Sequence, residues 1–191
     1  MKKIFIIGLF LFSFLAFNLS SCTKDDQYWE IQGFSINFFD NQGNQYIGDT
    51  IISNELYVQL KFTAAYSAVM RKTLPFINQA YAASEPEHPG LKHSISKLIV
   101  TSINDFNGIK AGDNISDKLV YCGQASTSGS CSHQTLESFI YNELKQEKPY
   151  IESATFKFLE KPIITEQKLT FRFIDSQGKE FIGTSSTFYW K

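Results

Sequence analysis

"DNQGNQYIG" runs from Asp40 to Gly48, and "DSQGKEFIG" runs from Asp175 to Gly183. Each copy follows a run in which apolar and polar residues alternate. Phe34, Ile36 and Phe38 precede the first, and Leu169, Phe171 and Phe173 precede the second. A period of two with one apolar face marks a half-buried antiparallel strand. Asp40-Asn41-Gln42-Gly43 has Asp at the first position of a turn and Gly at the fourth, the preference of a type I turn. Gly is free to take positive φ and form a bulge there. Asp175-Ser176-Gln177-Gly178 repeats the pattern, and Tyr46-Ile47 and Phe181-Ile182 open the returning strands. The two stretches therefore predict two β-hairpins, with Asp40, Gly43, Asp175 and Gly178 as turn residues. A calcium loop is the rival, since Asp40, Gln42 and Asn44 offer alternating oxygens. The second copy puts Lys179 where the first has Asn44, and a cation opposes metal binding.

Working outward, Leu56, Val58, Leu60 and Phe62 alternate with polar neighbours, as do Ala154, Phe156 and Phe158. Lys97 to Ile103 holds the continuous run Leu98-Ile99-Val100, which suits a more central strand. Tyr46 to Ile52 and Phe181 to Trp190 complete about seven strands. This predicts a mainly β fold, a single antiparallel β-sandwich of immunoglobulin-like type. One inserted α-helix is expected near residues 134–146, where Leu136, Phe139, Ile140 and Leu144 share a helical face. Ser132 or Thr135 would cap its start, and Pro149 bars its continuation. A second helix is expected around residues 74–82, followed by an exposed loop over residues 84–90.

The start of the chain is of another kind. Met1-Lys2-Lys3 is basic, Ile4 to Phe17 is almost wholly apolar, and small residues follow. That order is a secretory signal, and the apolar run is short for a spanning helix of about 20 residues. Leu19-Ser20-Ser21-Cys22 resembles the bacterial lipoprotein signal. The resemblance implies cleavage before Cys22 and a diacylglycerol on its sulfur, with two or more chains giving stable anchoring. Thr23-Lys24-Asp25-Asp26 resembles the export signal of surface lipoproteins in the Bacteroidetes. Two internal stretches are similar to a family of Bacteroidetes lipoproteins of this length. One is Ala80-Tyr81-Ala82-Ala83-Ser84 leading into Pro86 and Pro89. The other is Ile99 to Asn107 with Ala111-Gly112 and Ile115-Ser116-Asp117. The family brings no binding residues with it, so it implies location and fold only. The expected organisation is a signal peptide over residues 1–21, a lipid-anchored tether over 22–29 and the β domain over 30–191, on the outer membrane and exposed at the cell surface.

Removing residues 1–21 leaves 170 residues, enough for one domain with a sizeable core. Lys2 and Lys3 go with the leader, so 16 basic residues face 19 acidic ones, a net charge of −3 with histidine neutral. No basic face is implied, and nucleic acid is not an expected partner. Eighteen Phe and nine Tyr favour strands and an aromatic core.

In an exported chain, the pair Cys122 and Cys131, left after lipidation of Cys22, favours a disulfide. Closing a loop of about 10 residues stabilises by about 2.5–3 kcal/mol on the chain-entropy account. A metal site of Cys122, Cys131 and His133 lacks a fourth ligand, and its spacing is not that of a zinc site. His88 and His93, with Glu85 and Glu87, read as a solvated loop. Asn104, Asp105, Asn107, Asp113, Asn114 and Asp117 make an oxygen-rich stretch, which turn-capping explains without an ion. No catalytic motif is present in a recognisable frame. The expectation is therefore a non-catalytic binding module without cofactor or metal, meeting an envelope protein or a glycan. Tyr66, Tyr81 and Tyr121 are candidate sugar-stacking faces. A structural subunit of an outer-membrane assembly, or an envelope enzyme without a motif, are the alternatives. Asp49-Thr50-Ile51 resembles the acceptor of Bacteroidetes O-glycosylation, with Thr50 as the modified residue.

Overall fold

The structure is a computed structural model. It describes residues 26–69, 90–124, 131, 134–146 and 148–191. Cys22, Tyr81, His88, His133 and the helix expected around residues 74–82 lie outside the described residues, as do residues 84–89 of the expected loop. Gly90, its last residue, is buried in a short strand.

The described chain is mainly β. Strands β1 (Asp26–Phe39), β2 (Thr50–Ile51), β3 (Tyr57–Val69), β4 (Gly90–Leu91), β5 (Ile95–Ser102) and β6 (Leu119–Gly123) precede helix α1 (Leu136–Glu143). Strands β7 (Ser153–Phe158), β8 (Glu166–Gln167), β9 (Leu169–Asp175), β10 (Glu180–Thr184) and β11 (Phe188–Trp190) follow it. The first sheet has the order β4-β1-β3-β7-β6, the second β10-β9-β5, and a small third sheet β2-β11-β8. The pairing is antiparallel except for β1 with β4 and β2 with β11. Strand β1 opens at Asp26, so residues 26–29 of the expected tether are part of it, and Trp29 is fully buried.

Alternation decides which side chains go inward. Val58, Leu60 and Phe62 of β3 are buried, and so are Leu169, Phe171 and Phe173 of β9. The first two sheets meet where Phe34 and Phe62 touch Phe173 edge-on, with ring centroids 5.1 and 5.7 Å apart. Each such side chain gains about 1.5–3 kcal/mol from full burial. Two buried indoles are satisfied at loop carbonyls: Trp29 Nε1 donates to Lys148 O at 3.0 Å, and Trp190 Nε1 to Ser53 O at 2.7 Å. A buried indole N–H left unpaired would be costly, so these bonds fix the loops over the core.

Helix α1 sits where its period predicts. Thr135 is the cap, its hydroxyl accepting from the Ser138 N–H at 3.2 Å. Leu136 and Phe139 are buried, with Phe139 against Tyr121 and Phe156. The helix packs between β5 and β6. Among the described residues, no helix is long and apolar enough to cross a membrane.

Two elements differ from expectation. Tyr46 to Ile52 is not one returning strand. The chain bridges Phe39 at Gln45, just before this segment, then departs so that β2 pairs with β11. Phe181 to Trp190 is likewise divided, β10 joining the second sheet and β11 the third.

Candidate functional site

A concave feature lies between the free edge of β5 and helix α1. Most of that edge is occupied by the chain itself. Ile95 N–H donates to Leu144 O at 3.0 Å. Further along, Val100 N–H meets Ser116 Oγ at 3.0 Å and Asn114 Oδ1 at 3.2 Å, and Ile115 N–H donates to Val100 O at 2.7 Å. Residues 96–98 lie between these two covered stretches, and a groove of about 650 Å³ opens over them. That volume is in the range of about 300–1,000 Å³ typical of ligand sites.

Helix α1 forms the opposite wall. Its core face carries Leu136 and Ile140. Glu137 and Tyr141 are exposed beside it, and Lys145, half-buried just past the helix end, continues their four-residue spacing. Tyr141 is 65% exposed, and the Lys145 ammonium sits 3.3 Å from its ring centroid. A hydrogen bond from that ammonium, together with its charge, holds the Tyr141 phenol below its ordinary pKa. Across the groove Asn114 Oδ1 accepts from Ser116 Oγ at 2.6 Å and from Ser116 N–H at 3.1 Å. Its Nδ2 is therefore the end of the amide left to donate. Ser96 Oγ donates to Ile174 O at 2.9 Å.

A second, smaller hollow of about 130 Å³ lies beside the second turn. Its floor is Ile31, Leu91, Ile95 and Phe181, and its rim carries Glu30, His93, Asp175 and Lys179. Lys92 Nζ is 2.7 Å from Glu30 Oε1, and that bond holds the Glu30 carboxyl below its ordinary pKa. His93 Nε2 is 3.9 Å from the same oxygen. With Glu30 paired to Lys92 and room for only a few waters, this hollow reads as a structural feature.

The residues singled out from sequence are dispersed. Cys122 and Cys131 are joined as a disulfide, so neither sulfur is a thiolate available to a metal. Tyr121 is 4% exposed against Phe139 and Phe156, so it offers no face to a sugar. Burial, helped by the charge of Glu143, pushes its phenol up to about 12. Tyr66 is half-exposed, and its ring meets Tyr150 edge-on. Thr50 is exposed at the start of β2.

The oxygen-rich stretch is a set of loop staples. Asp105 accepts from Ala111 N–H at 2.9 Å and Lys110 Nζ at 2.8 Å. Asn107, at φ 47°, accepts from Ile163 N–H and donates to Lys161 O. Asn104 donates to Glu166 O at 2.8 Å. Among the described residues, no three His, Cys, Asp or Glu side chains converge on a point that suits a metal.

The groove was not foreseen. Its residues come from β5, the loop before β6 and α1, and they meet only in the folded topology. The one local signal was the Glu137, Tyr141, Lys145 spacing on the solvent side of the expected helix. No protein family, curated protein or solved structure matches the chain.

Proposed function

We propose that this protein is a bacterial surface lipoprotein, diacylated on Cys22 and held on the outer membrane, whose β domain is a non-catalytic binding module of immunoglobulin-like sandwich type. The observation that carries the binding role is the groove between β5 and α1, a concavity of ligand size with convergent polar groups. Its chemistry favours binding over catalysis. Glu137 is the carboxylate in its lining, without a second beside it, and the Ser96 and Ser116 hydroxyls spend their hydrogens on the protein's own oxygens. Support for the sandwich form is the Phe34, Phe62 and Phe173 contact between the two larger sheets. Support for the anchor is the leader sequence. A Cys22→Ser chain should stay unprocessed by the lipoprotein peptidase and lose acyl-chain anchoring; normal cleavage and membrane extraction would refute this. If Thr50 carries sugar, the intact mass after Thr50→Ala should drop by more than the side-chain change.

One observation favours the second reading, a subunit of an envelope assembly. Ile47, Ile52 and Ile163 are 97%, 76% and 85% exposed, on the segments that flank the small third sheet. Large exposed apolar side chains are candidates for contact surfaces. Crosslinking in intact cells should then trap a partner that Ile52→Lys and Ile163→Lys release.

A further inference from the structure

We propose that the groove between β5 and α1 takes a short oligosaccharide, an inference that rests on the binding role above and names its ligand. Two kinds of occupant fit a groove beside a sheet edge. An extended peptide adds a strand and is held by main-chain hydrogen bonds over several residues. A sugar is read by side chains that offer hydrogen bonds beside an apolar or aromatic surface.

The edge of β5 decides between them. Leu144 covers it at Ile95, and Asn114, Ile115 and Ser116 cover it at Val100. Ser116 Oγ also crowds the carbonyl of Leu98 at 3.4 Å, although its hydrogen goes to Asn114 Oδ1. Residues on one strand turn alternate main-chain groups to each side. The Leu98 N–H therefore faces the groove, as that of Val100 does. A span of three residues with one free main-chain donor is too short to register a strand.

The side chains suit a sugar instead. The Asn114 amide presents its Nδ2, and Glu137 presents a carboxylate with no partner among the described residues. Tyr141 brings a 65% exposed side chain, one ring face of which is covered by the Lys145 ammonium, next to the apolar Leu136 and Ile140. Donors, acceptors and an apolar wall thus converge, matching the hydroxyl edges and C–H faces of a pyranose.

The test uses the full-length protein in a detergent without a sugar head group. The labelled protein is applied to an array of defined oligosaccharides of two to five residues, and a displayed random-heptapeptide library is panned in parallel. The expected result is binding to a discrete set of sugars that weakens at least tenfold in Glu137→Gln and in Tyr141→Ala. Both residues are exposed on α1, and an unchanged urea midpoint will show that the variants are folded. Sugar binding that neither variant weakens would place the sugar elsewhere and overturn the proposal. Peptides selected without any sugar binding, and lost in Tyr141→Ala, would overturn the ligand class while keeping the groove as a binding site. Absence of both would overturn the ligand and the binding role together.

Discussion

The two nine-residue stretches fold into the same turn and then part company. In the first, Gly43 N–H donates to Asp40 O at 3.2 Å and Asp40 N–H to Asn44 O at 3.0 Å. In the second, Gly178 N–H donates to Asp175 O at 3.1 Å and Asp175 N–H to Lys179 O at 3.0 Å. In each, one aspartate Oδ1 accepts two main-chain N–H groups at 2.8–2.9 Å: Gln42 and Asn44, or Gln177 and Lys179. Gly43 and Gly178 lie at φ 84° and 83°. After the second turn, β10 pairs with β9 over five residues. After the first, pairing ends at Gln45 and the chain leaves for the third sheet. The turn is set by four local residues. The pairing after it is set by what the neighbouring chain offers, which nine residues do not encode.

The last glycine of each copy makes the same point and carries the largest expected effect. Gly48 sits at φ 126° with nothing within 4 Å of where a Cβ would be. A Cβ on Gly183 would lie 2.8 Å from Phe34 Cζ and nearer still to Cε2. One glycine serves backbone conformation and the other serves a close approach between sheets. Gly183→Val should cost about 2–3 kcal/mol by overpacking, and Gly48→Val about 1–2 kcal/mol by backbone strain. The decisive measurement is a cycle with Phe34→Ala in urea unfolding. Phe34→Ala should rescue part of the loss at 183 and none at 48, because only residues in contact couple.

The two aspartates should rank next. Asp175 is 4% exposed, whereas Asp40 is partly exposed. Truncating Asp175 to Ala removes a buried carboxylate from two part-buried hydrogen bonds, at about 2 kcal/mol. Truncating Asp40 lets water replace the carboxylate, and the loss should stay under about 1 kcal/mol. Equal losses at the two sites would show that burial does not separate the copies.

The turn glycines should behave alike. Gly43→Val and Gly178→Val each force a branched residue to positive φ, at about 1–2 kcal/mol. The effect should be the same with and without calcium, since the Asp40 oxygens already accept from Gln42, Asn44 and the Asn44 side chain. A calcium-induced stability gain abolished by Asp40→Asn alone would make the first loop an ion site.

These contrasts explain what the sequence disclosed. Period two revealed β1, β3, β7 and β9 because polar residues alternate with apolar ones along each. Strand β6 was missed because Leu119, Val120, Tyr121 and Cys122 are all buried, so nothing alternates. The helix was legible from its spacing and its Thr135 cap. The division of Phe181 to Trp190 was not, since a change of sheet leaves no local mark. The groove was hidden for a related reason: Ser96, Asn114 and Tyr141 are ordinary surface residues until topology brings β5, its flanking loop and α1 together.

The smallest expected effect lies in the acid limb of the first turn. Hydrogen bonds from the Asn44 side chain and main chain hold the Asp40 carboxyl below its ordinary value. A carboxyl whose folded pKa is lowered adds stability above its unfolded value of about 3.9, and that stability fades as pH falls through the lower folded value. Asn serves the same turn position but does not titrate. Asp40→Asn should therefore be slightly less stable than the parent at pH 7, and the two should converge below about pH 3 as Asp40 takes up its proton. Urea midpoints at pH 7, 4 and 3 would read this as a narrowing gap. A gap that widened toward acid would mean that the carboxylate is strained in the fold rather than held by its donors.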